Sequence, residues 1–127
     1  YELNKISSSK VAKINYALGT LYLEKRNFTI AKMYFDKAYL IYNEINSSEA
    51  FPLLELQKGL TLKASNKLDE AVIIFKKIAN TNKDAETSKV EAIYQLSKIY
   101  YLQEDYQKAL EYSKKALELV ENNSVGI

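Results

Sequence analysis

The chain has 127 residues, enough for one domain whose folding hides roughly two thirds of the surface that the unfolded chain exposes. It contains no Cys and no His, which excludes thiol chemistry, zinc sites of the Cys/His type, histidine-ligated haem and every triad with imidazole as its base. Its 18 basic and 16 acidic residues are spread along the chain for a formal charge of +2, so no strong field of either sign would gather nucleic acid or an anionic membrane.

With one Pro, three Gly and abundant Leu, Ala, Lys and Glu, the composition predicts an all-α chain, because these side chains lose little freedom in a helix. The first residues, YELNKISSSK, lack the basic-then-apolar layout of a secretion signal, and no apolar run approaches the roughly 20 residues needed to cross a bilayer. A soluble, cytoplasmic location is the expectation. Tyr1 to Ile6 reads as the tail of an earlier hairpin, since NKISSS at 4–9 resembles NEINSS at 43–48.

Val11, Ile14, Leu18, Leu21 and Tyr22 keep a three-or-four spacing, so they predict one packing stripe on a helix over about 9–25. KRN interrupts it. A second stripe of Phe28, Ala31, Tyr34, Phe35, Ala38 and Ile41 or Tyr42 predicts a helix over 28–46, antiparallel to the first across a short turn.

Sliding the chain by 40 lays Gly19 on Gly59, Tyr22 on Leu62, Phe28 on Leu68, Ala31 on Ala71 and Phe35 on Phe75. A slide of 78 brings Tyr16 onto Tyr94, Leu18 onto Leu96, Tyr22 onto Tyr100, Ala31 onto Ala109 and Ala38 onto Ala116. Three helical hairpins therefore fill the chain, with further helices at about 49–65, 68–80, 86–103 and 106–122. The small residues have a physical reason: helices approach to about 8 Å only where no bulky side chain intervenes, which marks Gly19 and Ala31 as the closest crossing. Gly59 and Ser97 should hold equivalent contacts.

Pro52 is tolerable as part of a helix start, where its missing N–H has no intrahelical partner. Ser88 with Glu91 fits a capping box, and Asn66 with Asp69 is a similar pair. Asp69-Glu70 and Glu104-Asp105 are tight acidic clusters in turns or first turns, where the helix dipole favours negative charge, so they read as solvated caps rather than as catalytic carboxylates.

Leu18-Gly19-x-x-Tyr22 followed by Ala31-x-x-x-Phe35 and Ala38 resembles the tetratricopeptide repeat. The resemblance covers nearly the whole chain, strongest in the first copy and weakest in the second. It departs from the family where Asn15, Glu55 and Ile93 replace an early Trp, where Lys58 replaces Leu and Ser113 replaces Phe, and where Asn43, Lys83 and Glu121 replace a closing Pro. The spacings of 40 and 38 exceed the usual ~34, overlapping the range of HEAT and armadillo repeats. Extended repeats of this kind resemble those of bacterial signalling regulators.

The resemblance implies a right-handed alpha-alpha superhelix, a solenoid of three hairpins at about 9–46, 49–80 and 86–122, within a single repeat domain over 1–127. It implies a noncatalytic scaffold without cofactor, whose partner is a protein or peptide segment. No polar closing helix follows the third hairpin, and with no initiating Met the chain is expected to be a piece of a longer array or multidomain protein.

In such an array the first helix of each hairpin lines the concave wall. Spacing places there Lys13, Tyr16 and Thr20 from the first hairpin, then Leu53, Leu56, Leu60 and Lys63 from the second. Glu91, Tyr94, Lys98 and Tyr101 follow from the third. Leu53, Leu56 and Leu60 add a second apolar stripe beside Leu54 and Leu62, to be taken either by neighbouring helices or by an apolar partner. The clamp for chain-terminal carboxylates found in chaperone-binding relatives is incomplete, because Thr20, Leu60 and Lys98 stand where an amide would be wanted. The alternative is a structural module, oligomerising or spacing other domains, with the second stripe and bare end faces making self-contacts.

Overall fold

The computed structural model describes the backbone of residues 2–46, 51–81 and 87–125 and the side chains of 7–46, 51–81 and 87–122. Among the described residues there are six α-helices and no strand: α1 (Glu2–Glu24), α2 (Phe28–Glu44), α3 (Phe51–Ala64), α4 (Leu68–Ala79), α5 (Thr87–Leu102) and α6 (Tyr106–Val125). They fall into two compact units, residues 1–67 and 68–127.

The helix ends carry the repeat most plainly. Arg26, Asn66 and Glu104 occupy the same register and all take left-handed backbone, with φ of 63°, 65° and 62°. Each closes its helix with the same pair of bonds. Asn27 N–H donates to Tyr22 O at 2.9 Å, Lys67 N–H to Leu62 O at 2.8 Å and Asp105 N–H to Tyr100 O at 2.9 Å, while the residue before each donates to the carbonyl one position further along, at Leu23, Lys63 and Tyr101. This is a Schellman closure, which satisfies the last carbonyls and reverses the chain within a few residues. Asn66 therefore ends α3 instead of opening α4, a role that asparagine fills because it tolerates left-handed backbone.

The following helices open on Asn27 and Asp105, whose side-chain oxygens accept from the N–H groups of Ile30 and Lys108, each at 3.3 Å. Asp105 is thus a cap, while Asp69 and Glu70 lie in the first turn of α4. Pro52 is the second residue of α3, inside the first turn as its chemistry requires. Ser88 lies within α5, where the Glu91 carboxylate accepts from Gln95 Nε2 at 2.7 Å. Replacing Asp105 by Ala should lower stability by about 1 kcal/mol, because it orphans a helix-start N–H, and Asp105→Asn should recover most of it. Chemical denaturation followed by circular dichroism reads both.

In the first unit α2 packs against α1 and α3. Ala31, Phe35, Ala38 and Tyr42 are buried on α2, as its stripe predicts, and form one cluster with Ala12 and Leu54. The face that α1 buries differs from expectation. Ala12 and Gly19 lie innermost with Tyr16 and Leu23 half-buried, whereas Val11, Ile14 and Leu21 are exposed. The stripe 11-14-18-21 sits about one residue round the helix from the stripe 12-16-19-23, and α2 covers only the latter.

Helix α1 also starts at Glu2 rather than near Ser9, so residues 2–8 continue it. Neither Pro nor Gly interrupts that stretch. At the other end α6 runs to Val125, three residues past its expected stop. The expected starts of the third and fifth helices, at 49 and 86, lie outside the described residues.

Gly19 does mark a close approach, though to Phe35 rather than Ala31. A Cβ placed on Gly19 would meet Phe35 Cε1 at 2.6 Å and Cδ1 at 2.7 Å. The Phe35 ring is fully buried and edge-on to Tyr16, with centroids 5.8 Å apart. Beside it Tyr22 stacks on Tyr34 at 5.6 Å and 14°.

The second unit repeats that geometry with one exchange. Tyr100 stacks on Tyr112 at 5.6 Å and 13°, and Lys115 lies over Tyr112 as Lys37 lies over Tyr34. In place of the Gly19 and Phe35 pair stand Ser97 and Ser113. The Ser97 hydroxyl donates to Ala109 O at 3.0 Å and has no second proton, so the Ser113 hydroxyl donates to Ser97 Oγ. A phenyl ring is thereby exchanged for a hydrogen bond, and an open cavity of about 400 Å³ lies there, lined by Ser97, Lys98, Tyr101, Leu102, Tyr106 and Leu110 among others.

Candidate functional site

The expected wall residues lie on α1, α3 and α5, and each unit contributes its own set. On α1, Lys13 is exposed, while Tyr16 is half-buried against Phe35. Burial raises the Tyr16 phenol above its ordinary pKa, partly offset by a hydrogen bond with the Gln57 side chain of α3. Tyr16 is therefore a strut between α1 and α3 as well as a surface group. Thr20 donates its hydroxyl to Tyr16 O at 3.1 Å, spending its proton inside its own helix.

On α3 the four expected residues part company. Leu53 is exposed, Leu60 and Lys63 are half-buried, and Leu56 is only 6% exposed. Leu56 is thus a core residue, closed to a partner. Helix α3 buries Leu54, Leu56, Gly59 and Thr61, positions that run around much of its circumference, so little of its second apolar stripe is left to solvent. Sequence spacing identifies the two stripes but not how far neighbouring helices reach around them.

On α5 the residues gather on one exposed face. Tyr94 is 49% exposed and Tyr101 64% exposed, two turns apart on the same side, with Lys98 between them and exposed. The Lys98 ammonium lies 5.0 Å from the Tyr94 ring centre, a cation–π contact that fixes the lysine stem along the tyrosine. Tyr101 leans on Tyr106 of α6 at 5.8 Å, bordering the cavity left by Ser113. Glu91 is half-buried and engaged with Gln95. An amphipathic aromatic surface of this kind provides contact area, hydroxyl hydrogen bonding and little entropy loss, which suits a peptide or protein segment.

Two further exposed apolar surfaces lie outside the residues expected to line the wall. One is the α1 stripe already described. The other is on α6, where Leu110, Leu117 and Val120 face solvent with Tyr106 beside them. The signal for the first was available in the sequence: α1 carries two apolar stripes one residue apart, more than one hairpin partner can cover.

Among the described residues no group of three or more Asp or Glu side chains is placed to hold a metal ion, and no helix is long and apolar enough to cross a membrane. No curated protein matches the chain. Two family models do match: one described as tetratricopeptide repeat covers residues 12–44, and a second with the same description covers residues 90–123. These stretches are the first and third copies of the internal repeat, the two whose Tyr–Tyr stacks and Schellman closures coincide. Repeats of this type mediate protein–protein interaction and scaffolding and are generally non-catalytic. The six helices, the repeating closures and the two family matches together make this chain a member of the tetratricopeptide repeat family.

Proposed function

We propose that the chain is a noncatalytic scaffold that receives a protein or peptide segment on the exposed faces of its hairpin-opening helices, within a bacterial signalling or regulatory protein. The regulatory setting is supported by the likeness of its extended repeats, spaced by 40 and 38 residues, to those of bacterial signalling regulators. The binding role is carried by one observation: Tyr94 and Tyr101 present large aromatic area to solvent two turns apart, around Lys98. In the first unit Leu53 and Lys13 stay exposed on α3 and α1, and Leu56 drops out.

A randomised peptide library selected on the chain supplies a defined probe. The enriched peptide, titrated calorimetrically, should bind at least tenfold more weakly to Tyr94→Asp than to the parent, with helicity unchanged. Binding that withstands both Tyr94→Asp and Leu53→Asp places recognition elsewhere and overturns the reading.

A further inference from the structure

We infer that a second copy of this chain docks its α1 stripe on the α6 face, head to tail. The first unit contains the template for this contact. There α3 lies on α2 through Phe51, Leu54 and Lys58. Phe51 meets the Tyr39 ring at 4.9 Å, and Leu54 enters the cluster around Phe35 and Tyr42. Lys58 reaches Asp36 at 3.5 Å and lies over Tyr39.

The 40-residue register carries Phe51, Leu54 and Lys58 back onto Val11, Ile14 and Leu18 of α1. The 78-residue register carries Phe35, Asp36, Tyr39 and Tyr42 forward onto Ser113, Lys114, Leu117 and Val120 of α6. The stripe that α1 shows to solvent is therefore the docking stripe of a hairpin-opening helix. The stripe that α6 shows is the seat for one. Ile14 is 52% exposed and Leu117 58% exposed, although their counterparts Leu54 and Tyr39 are packed.

Charge chooses between the helices that could fill the seat. Where the first unit pairs Lys58 with Asp36, the seat on α6 offers Lys114, which would meet a helix of the α3 type with like charge. Helix α1 brings Leu18 to that position and avoids the repulsion. In the template orientation Phe51 lies beside Tyr39, so Val11, at the N-terminal end of the α1 stripe, lies beside Leu117. Exposed Lys10 and Lys13 flank the stripe at that end of α1, and exposed Glu118 and Glu121 flank it on α6.

The contact is heterologous, since one face belongs to α1 and the other to α6. Each copy that joins leaves one face of each kind free, so association continues past the dimer. Sedimentation velocity of the 127-residue chain from 10 µM to 1 mM should show a mass that climbs beyond that of a dimer. Ile14→Glu and Leu117→Glu should each remain monomeric over that range. Mixed in equal amounts they should form a 1:1 dimer and nothing larger, because each retains the face that the other has lost.

A parent that stays monomeric at 1 mM, a single variant that still associates, or a mixture that does not pair overturns the proposal. Circular dichroism checks that the variants stay helical, and Leu21→Glu replaces Ile14→Glu should the latter unfold. Peptide binding at Tyr94 is read separately, so failure of one leaves the other standing.

Discussion

Replacing Phe35 by Ala should destabilise the first unit by about 3–5 kcal/mol, the range for removing a fully buried aromatic side chain. The ring is fully buried between α1 and α2, meets Tyr16 edge-on at 5.8 Å, and occupies the space that Gly19 leaves open. Truncation removes the transfer energy of the ring and leaves a cavity that cannot collapse easily, because Ala12, Ala31 and Ala38 around the same cluster are already small and have nothing to swing inward. The transition of residues 1–67 in urea should therefore move to markedly lower concentration while staying cooperative. Urea titration by circular dichroism, together with hydrogen exchange of the α1 and α2 amides, measures it. The control is Leu110→Ala on α6: its side chain is exposed, so the same measurement should move by no more than about 0.5 kcal/mol.

The contrast between these two leucine- and phenylalanine-bearing positions shows what sequence can convey about such a fold. Helix class, the six-helix count among the described residues and the buried stripe of α2 were legible because one periodicity, repeated three times, admits few alternatives. The buried face of α1 was not. Val11, Ile14 and Leu21 have the spacing and hydrophobicity of a core, and are exposed because no helix of the unit covers that side of α1, a fact about neighbours rather than about the helix.

Leu56 fails in the opposite sense, since its position on a second stripe says nothing of how far surrounding helices wrap. Asn66 was misassigned because asparagine suits both a helix start and a left-handed helix stop, and only the backbone angle separates the two. On α5 the spacing puts the tyrosines at 94 and 101 on one side of the helix, and both are exposed because no second apolar stripe competes for that side.

Gly19 offers the sharpest test of the seam itself, because two physical effects of opposite sign meet there. In the middle of a helix, exchange of Gly for Ala ordinarily stabilises by about 1 kcal/mol, through the smaller entropy loss of Ala. At Gly19 the new methyl would lie 2.6 Å from Phe35 Cε1, well inside contact, and the ring is held by Tyr16 on one side and the cluster around Leu54 on the other. Overpacking of this kind costs about 1–3 kcal/mol, so in the parent the clash should outweigh the propensity and Gly19→Ala should destabilise.

In the Phe35→Ala background the ring is gone, the clash with it, and the same substitution should stabilise by close to its full helical value. The sign of Gly19→Ala therefore reverses between the two backgrounds, a coupling of about 1–3 kcal/mol that a double-mutant cycle reads directly. A crossing set by backbone contact with Ala31 would give instead the same penalty in both, since truncating Phe35 leaves that contact untouched. The third hairpin holds the natural counterpart of this cycle: with Ser at both 97 and 113 it has given up ring and glycine together, and its hydroxyls meet where the ring and the bare Cα meet in the first.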